Sequence, residues 1–196
     1  TPTSDLTTAK CLINSIISTQ TAKGMCADIK DFYLNTEMER FEYMRLKADL
    51  IPEEIMMQYN LASLVTDGFI YLEIMKGMYG LPQAGLLANL KLTKHLAKYG
   101  YYPTKHTPGL WKHETKPIVF TLTVDDFLIK YSSTEDAQHL LSALKAQYTI
   151  SEDWEAKLYC GLTLEWDYVL RTCVLSMPEY VTSALSSFLH PPSSKV

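Results

Sequence analysis

The sequence predicts an α+β fold, a β-sheet packed by helices on one face. Three observations lead to it. Strand-like runs and helix-period stretches alternate irregularly, with no internal repeat. The run Ile118-Val119-Phe120-Thr121-Leu122-Thr123-Val124-Asp125-Asp126-Phe127-Leu128-Ile129 reads as two apolar strands joined at a tight tip. Hydrophobic residues make up 47% of 196 residues, enough for one domain with a sizeable core.

The elements follow in order. Residues 6–21 carry apolar side chains at helical intervals, Leu12 with Ile16 and Ile13 with Ile17, and read as a helix. Residues 25–29 form the first core strand. Residues 41–46 alternate Phe41, Tyr43 and Arg45 against Met44 and Leu46, which is a strand pattern. Pro52, with Glu53 and Glu54 beside it, opens a short helix over 52–60. Another strand occupies 69–75. The longest helix runs over 81–99 and is stopped by Gly100. Strands come next at 110–112, 118–124 and 127–131. Ser132, Ser133 and Thr134 offer caps for a helix over 135–148. Residues 158–166 and 173–176 read as strands, and 178–189 as the last helix. The tail Pro191-Pro192-Ser193-Ser194 reads as a linker or disordered end, so the chain divides into 1–190 and 191–196.

Composition excludes several classes. No run of 18 apolar residues marks a membrane span, and no secretory pattern opens the chain. Cys11, Cys26, Cys160 and Cys173 lack any CxxC spacing and read as reduced, mostly buried thiols of an intracellular protein, cytoplasmic or nuclear. Nothing near His106 or His113 completes a metal site. The net charge of -4, with only Arg40, Arg45 and Arg171 as arginines, argues against a free-standing nucleic-acid binder.

The acids carry the chemistry. Asp125 and Asp126 interrupt a run that otherwise reads as buried. An unpaired buried carboxylate costs several kcal/mol, and two side by side also repel. Such a pair belongs at a solvated turn or where a cation neutralises it. Upstream by 97 residues, Asp28 ends the short apolar run Gly24-Met25-Cys26-Ala27-Asp28-Ile29. If that strand end meets the hairpin tip, three carboxylates converge. An oxygen-rich cluster of that kind is what hard cations such as Mg2+ require.

Four segments then stand in a familiar order: Asp28-Ile29-Lys30-Asp31-Phe32-Tyr33, Lys76-Gly77-Met78-Tyr79-Gly80-Leu81-Pro82-Gln83-Ala84, Val124-Asp125-Asp126 and Tyr159-Cys160-Gly161-Leu162. In that order and spacing they resemble reverse transcriptases, and most of all the Ty1/copia class of retrotransposon polyproteins. The resemblance implies a polymerase palm, a ferredoxin-like antiparallel sheet packed by helices, and an RNA-directed DNA polymerase. It implies that Asp28 and Asp125 hold two Mg2+ ions, or Mn2+ in their place, with Asp126 in support. The Phe32 amide would face the triphosphate. Tyr33 would stand as a steric gate under the incoming sugar, and Gln83, at a helix start, would touch the nucleotide or template base. Tyr159, Cys160 and Gly161 would form a primer grip. The implied partners are an RNA or DNA template with primer, deoxynucleoside triphosphates, and the rest of a polyprotein with fingers, RNase H and integrase.

The same resemblance accounts for the acidic charge. In this family the basic fingers precede the first catalytic Asp, and this chain begins at Thr1, 27 residues before Asp28. The expectation is a fragment from which most of the fingers is absent and which is inactive alone. Rival readings are a decayed, non-catalytic palm that binds nucleic acid or nothing, and a metal-dependent phosphohydrolase. Tyr33 and Gln83 favour a polymerase, because hydrolysis needs neither. Two positions depart from the family pattern. Thr123 stands where Tyr is usual, and Asp31 where a small or polar residue is preferred. Lys91, Lys94 and Lys98 share one helix face that suits either solvent or a phosphate backbone.

Overall fold

The structure is a computed structural model that describes residues 2–188. In chain order the elements are α1 (Leu6–Ser18), β1 (Lys23–Ile29), β2 (Glu37–Lys47), α2 (Glu53–Gln58), β3 (Phe69–Lys76), α3 (Pro82–Ala97), β4 (Tyr101–Pro103), β5 (Leu110–His113), β6 (Val119–Thr123), β7 (Asp126–Tyr131), α4 (Thr134–Lys145), β8 (Ile150–Asp153), β9 (Leu158–Tyr159), β10 (Leu162–Asp167), β11 (Thr172–Ser176) and α5 (Pro178–Ser187). Two short 3-10 turns, Ala48–Leu50 and Leu61–Leu64, flank α2. The mixed fold with antiparallel sheets agrees with the sequence reading. The last residue expected in the final helix, 189, and the expected tail 191–196 lie outside the described residues.

The backbone divides into two units, residues 2–32 with 89–188, and Tyr33–Ala88. The first holds a six-stranded antiparallel sheet in the order β4-β5-β6-β7-β1-β8 and a three-stranded sheet in the order β11-β10-β9. In the second, β2 pairs with β3 as an antiparallel hairpin, with a register shift between Glu37 and Glu42.

Helices cover both faces of the six-stranded sheet, where the sequence led us to expect one. The central strands β6, β7 and β1 are nearly continuous apolar runs, and such runs bury both sides. By register, Cys26 faces the same way as Leu128, and α1 packs there through Ala9, Leu12, Ile13 and Ile16. Phe120, Phe127 and Ile129 alternate to the opposite side. There Tyr101 lies 6.0 Å from the Phe120 ring and its hydroxyl meets Nδ1 of His139 on α4 at 2.9 Å. Capping sets both helix starts. Asp5 accepts the Thr8 N–H at 2.7 Å to open α1, and Ser133 accepts the Asp136 N–H at 3.1 Å to open α4.

Three further expectations are corrected. β4 and β8 were not foreseen. Both are edge strands, and edges are kept short and carry Pro or charge, which removes the apolar alternation. The single strand expected over 158–166 is two strands joined by a two-residue turn. Cys160 (φ 48°) and Gly161 (φ 78°) both adopt left-handed backbone, and Tyr159 pairs with Leu162 across them. A turn of that kind matches the right-handed twist of its strands. The cysteines are all free, and only Cys26 is buried, because Cys160 tops a turn and Cys11 lies on the outer side of α1.

The segment before α1 is pinned at a glycine. The Ser4 N–H donates to Leu122 O at 2.8 Å, and the Leu122 N–H donates to Gly109 O at 2.7 Å. Gly109 has φ 75°, and a Cβ there would run into the Ser4 backbone nitrogen. Gly109→Ala should therefore cost about 3 kcal/mol in urea unfolding, from backbone strain plus displacement of Ser4. A loss below about 1 kcal/mol would mean the segment is not seated there.

Candidate active site

The strand register brings the acids together. Asp28, next to last in β1, is the direct cross-strand partner of Asp126, the first residue of β7. Asp125 occupies the β6–β7 turn, and its carbonyl accepts the Ile29 N–H at 3.2 Å. That bond ties the hairpin tip to the end of β1. On the other side of Asp28, β8 contributes Ser151 as its partner.

The turn itself is strained. Val124 has φ 63°, and a β-branched residue in left-handed backbone is a genuine outlier. Strain of this kind persists only where neighbours over-determine it, and it gathers at functional sites. The neighbours here are the Thr123–Asp126 strand pair, the Asp125–Ile29 bond and the Thr123 hydroxyl, which donates to Ser4 O at 3.3 Å.

The charges of these acids act on one another. Burial raises the Asp28 carboxyl above the usual range, and the charges of Asp125 and Asp126 raise it further against a small opposing effect of Lys30. Asp126 is likewise raised, first by burial, with Asp125 adding to the shift and a hydrogen bond from Cys160 opposing it. The Cys160 Sγ–H donates to Asp126 Oδ2 at 3.5 Å. Burial of the sulfur, then the Asp126 charge, pushes that thiol up to about 11, so it is protonated and remains a donor at neutral pH.

The donor chemistry fits a hard divalent cation, because every candidate ligand is a carboxylate oxygen and the Asp125 charge raises the carboxyls of both Asp28 and Asp126. As the side chains stand, no group of three or more His, Cys, Asp or Glu among the described residues is placed to hold a metal ion. The fit therefore rests on donor type and mutual charge rather than on a closed cage.

The other sequence-predicted residues fall as follows. Phe32 is buried, its ring 6.2 Å from Tyr148. Tyr33 and Gln83 lie in the second unit. There the Tyr33 ring meets Tyr79 edge-on at 4.6 Å, and Gln83 Nε2 donates to Glu42 Oε1 at 2.7 Å. A Cβ on Gly77 would come within 2.8 Å of Tyr33 O, so Gly77 is required by that close approach. Tyr159 is buried and its hydroxyl is hydrogen-bonded internally, while Cys160 and Gly161 are exposed. Asp31 is an exposed turn residue with φ 53°, a conformation Asp tolerates. Lys94 is exposed on α3, Lys98 is exposed in the turn just after it, and Lys91 is half-buried. Sequence reasoning missed Thr121, Thr123 as a hydrogen-bonding residue, Ser4 and Ser151. Small hydroxyl residues carry no spacing signal, and only the pairing of distant strands gives them partners.

Residues 27–189 match the reverse transcriptase (RNA-dependent DNA polymerase) family, and the chain belongs to it. Its motifs are those of the Ty1/copia retrotransposon type, and a Ty5-1 transposon protein of Saccharomyces cerevisiae is similar to it. That protein is 24% identical over 161 residues, which make up 81% of this chain and 48% of the yeast protein. The chain thus spans about half the length of the curated relative it matches. Among the described residues, no helix is long and apolar enough to cross a membrane.

Proposed function

We propose that this chain carries the polymerase centre of a retrotransposon reverse transcriptase and that its six-stranded sheet is the palm. The reaction is template-directed transfer of a deoxynucleotide to a primer 3'-hydroxyl, with an RNA or DNA template. The observation that supports this most is the register that sets Asp28 opposite Asp126, with Asp125 in the adjoining turn. Asp28, Asp125 and Asp126 would hold two Mg2+ ions, or Mn2+. When bound, such cations acidify the primer hydroxyl and neutralise the triphosphate and departing pyrophosphate.

The chain's own residues supply position and charge. Strand pairing fixes Asp28 and Asp126 side by side, and the strained turn presents Asp125 beyond the end of β6. The Cys160 thiol holds one oxygen of Asp126 and leaves the other for a ligand. Tyr33 follows Asp28 by five residues in the sequence, and its ring selects deoxynucleotides by excluding a 2'-hydroxyl. Phe32 offers its amide to the triphosphate and Gln83 its amide group to the base pair. Cys160 and Gly161 present the exposed part of a primer grip that begins at Tyr159. The parent protein would add the fingers, RNase H and integrase.

The test is primer extension by the intact parent on poly(rA)/oligo(dT) with Mg2+, using deoxy- and ribonucleotides. Tyr33→Ala should raise ribonucleotide incorporation relative to deoxynucleotide by about tenfold or more, the scale of one relieved steric clash. No extension by the folded parent would remove the polymerase reading. An unchanged ratio with intact extension would make Tyr33 a packing residue.

A further inference from the structure

We propose that Tyr159 is a positioning residue for Asp126: its hydroxyl, shared by Thr121 and Thr123, locks the Cys160–Gly161 turn against β6 and so keeps the Cys160 thiol on Asp126 Oδ2. The inference rests on the reading of Asp126 as a cation-binding carboxylate, but its geometry is independent of any bound ion.

Three hydrogen bonds form one chain. The Tyr159 hydroxyl lies 3.1 Å from Thr121 Oγ1 and 3.0 Å from Thr123 Oγ1. Thr123 has one hydroxyl proton, and it is directed at Ser4 O, 3.3 Å away. Tyr159 must therefore donate to Thr123, and Thr121 must donate to Tyr159. Every donor is then used once, and the relay ends on a backbone carbonyl whose own residue is bonded to Leu122. Aligned chains of this kind polarise one another and strengthen. The Thr121–Tyr159 link has no water to fall back on, since Thr121 is 0% exposed and Tyr159 3%.

The turn transmits this anchorage. Its two residues both have left-handed φ, so their path is fixed once Tyr159 and Leu162 are paired. Leu162 packs on the cluster that contains Leu12, Leu128 and Tyr159 itself. Cys160 is the residue directly after the anchor, and its sulfur reaches Asp126 at 3.5 Å. Thr123, the link of the relay between Tyr159 and Ser4, is the strand partner of Asp126. The relay therefore grips Asp126 from two sides, by the backbone pair and by the thiol. Removing the tyrosine hydroxyl leaves the ring packed but frees the turn to shift.

The test separates position from stability. Tyr159→Phe orphans the buried Thr121 hydroxyl and should lower the thermal midpoint. The double variant Thr121→Val with Tyr159→Phe replaces both polar partners by apolar groups of similar shape, which restores most of the stability. The informative readout is the rate of iodoacetamide alkylation at Cys160, followed by peptide mass spectrometry on the full chain. Tyr159→Phe should raise it about fivefold, the factor that goes with one lost hydrogen bond, and Asp126→Asn by more, because it removes both the hydrogen bond and the neighbouring charge. In the double variant the midpoint should recover while the rate stays raised. A rate unchanged by Tyr159→Phe, or one that returns with the midpoint in the double variant, overturns the proposal. So does a rate unchanged by Asp126→Asn, because the thiol contact would then be absent. Mn2+ binding, titrated by paramagnetic resonance on the same samples, should weaken about fivefold in Tyr159→Phe and stay weak in the double variant. Mn2+ binding that Asp126→Asn leaves unchanged overturns the cation reading alone, since alkylation still decides the contact.

Discussion

Asp28→Asn is expected to abolish primer extension by the intact parent, on the order of a thousandfold or more, and at the same time to raise the thermal midpoint of this chain at neutral pH. The two effects share one cause. Asp28 is held above the usual carboxylate range by burial and by the charges of Asp125 and Asp126. Its folded form keeps a proton to higher pH than the unfolded chain does. The native state therefore loses stability as pH rises from the ordinary carboxylate range through the raised pKa, and the full penalty is present above it. Below the ordinary range both states are protonated and the penalty vanishes. Asn keeps the shape and removes the charge. The variant's gain in midpoint should be clear at pH 7 and absent near about pH 3. Thermal melts at both values, with extension assays alongside, check this. A variant that extends primers like the parent would remove Asp28 from the ligand set. One that is less stable at pH 7 would show that its carboxylate is stabilised where we find it strained.

Arg171→Ala carries the largest expected stability loss among the polar side chains. The Arg171 guanidinium donates to the carbonyls of Ile16 and Ile17 at 2.8 Å each, to Gln20 O at 3.4 Å, and to Thr19 O. It closes the C-terminal end of α1, where unpaired carbonyls and the helix dipole both favour a cation. The helix it caps is the one that packs on the face bearing Cys26 and Leu128. We expect a loss of about 3 kcal/mol in denaturant unfolding, above a simple surface contact because several charged hydrogen bonds vanish together. Arg171→Lys should recover less than half of it, since one ammonium cannot span the same carbonyls as a planar fork. A loss under about 0.5 kcal/mol would mean that water satisfies those carbonyls equally well.

The sequence was most legible where one strong pattern acted alone. The runs at β1, β6 and β7 are apolar enough to read as core strands. The acids that interrupt them stand out because charge is costly there, and their meeting point follows from pairing β1 with β7. The face count did not follow, since a run buried on both sides looks the same whether one helix layer or two cover it. β8 escaped notice because Ser151, Glu152 and Asp153 are polar edge residues, yet it flanks Asp28. The Cys160–Gly161 turn was readable in principle from the Gly that interrupts the run from Leu158 to Leu164, but its short first strand blurred into the next. The roles of Thr121, Thr123 and Tyr159 were out of reach. Their hydroxyls gain meaning only from a contact across 36 to 38 residues of chain. The small hydroxyl of Thr123 is what lets the relay pass to Ser4.

The claim at the centre of this account is that Asp28, Asp125 and Asp126 form one cation site. The most direct measurement is the thermal midpoint of the chain at pH 7 against Mg2+ concentration, at constant ionic strength, for the wild type, Asp28→Asn and Asp126→Asn. An ion that binds only the folded state raises the midpoint with the logarithm of its concentration once above Kd. We predict that rise in the wild type and a flat response in both variants. A wild type that does not respond, or variants that respond as the wild type does, would contradict it.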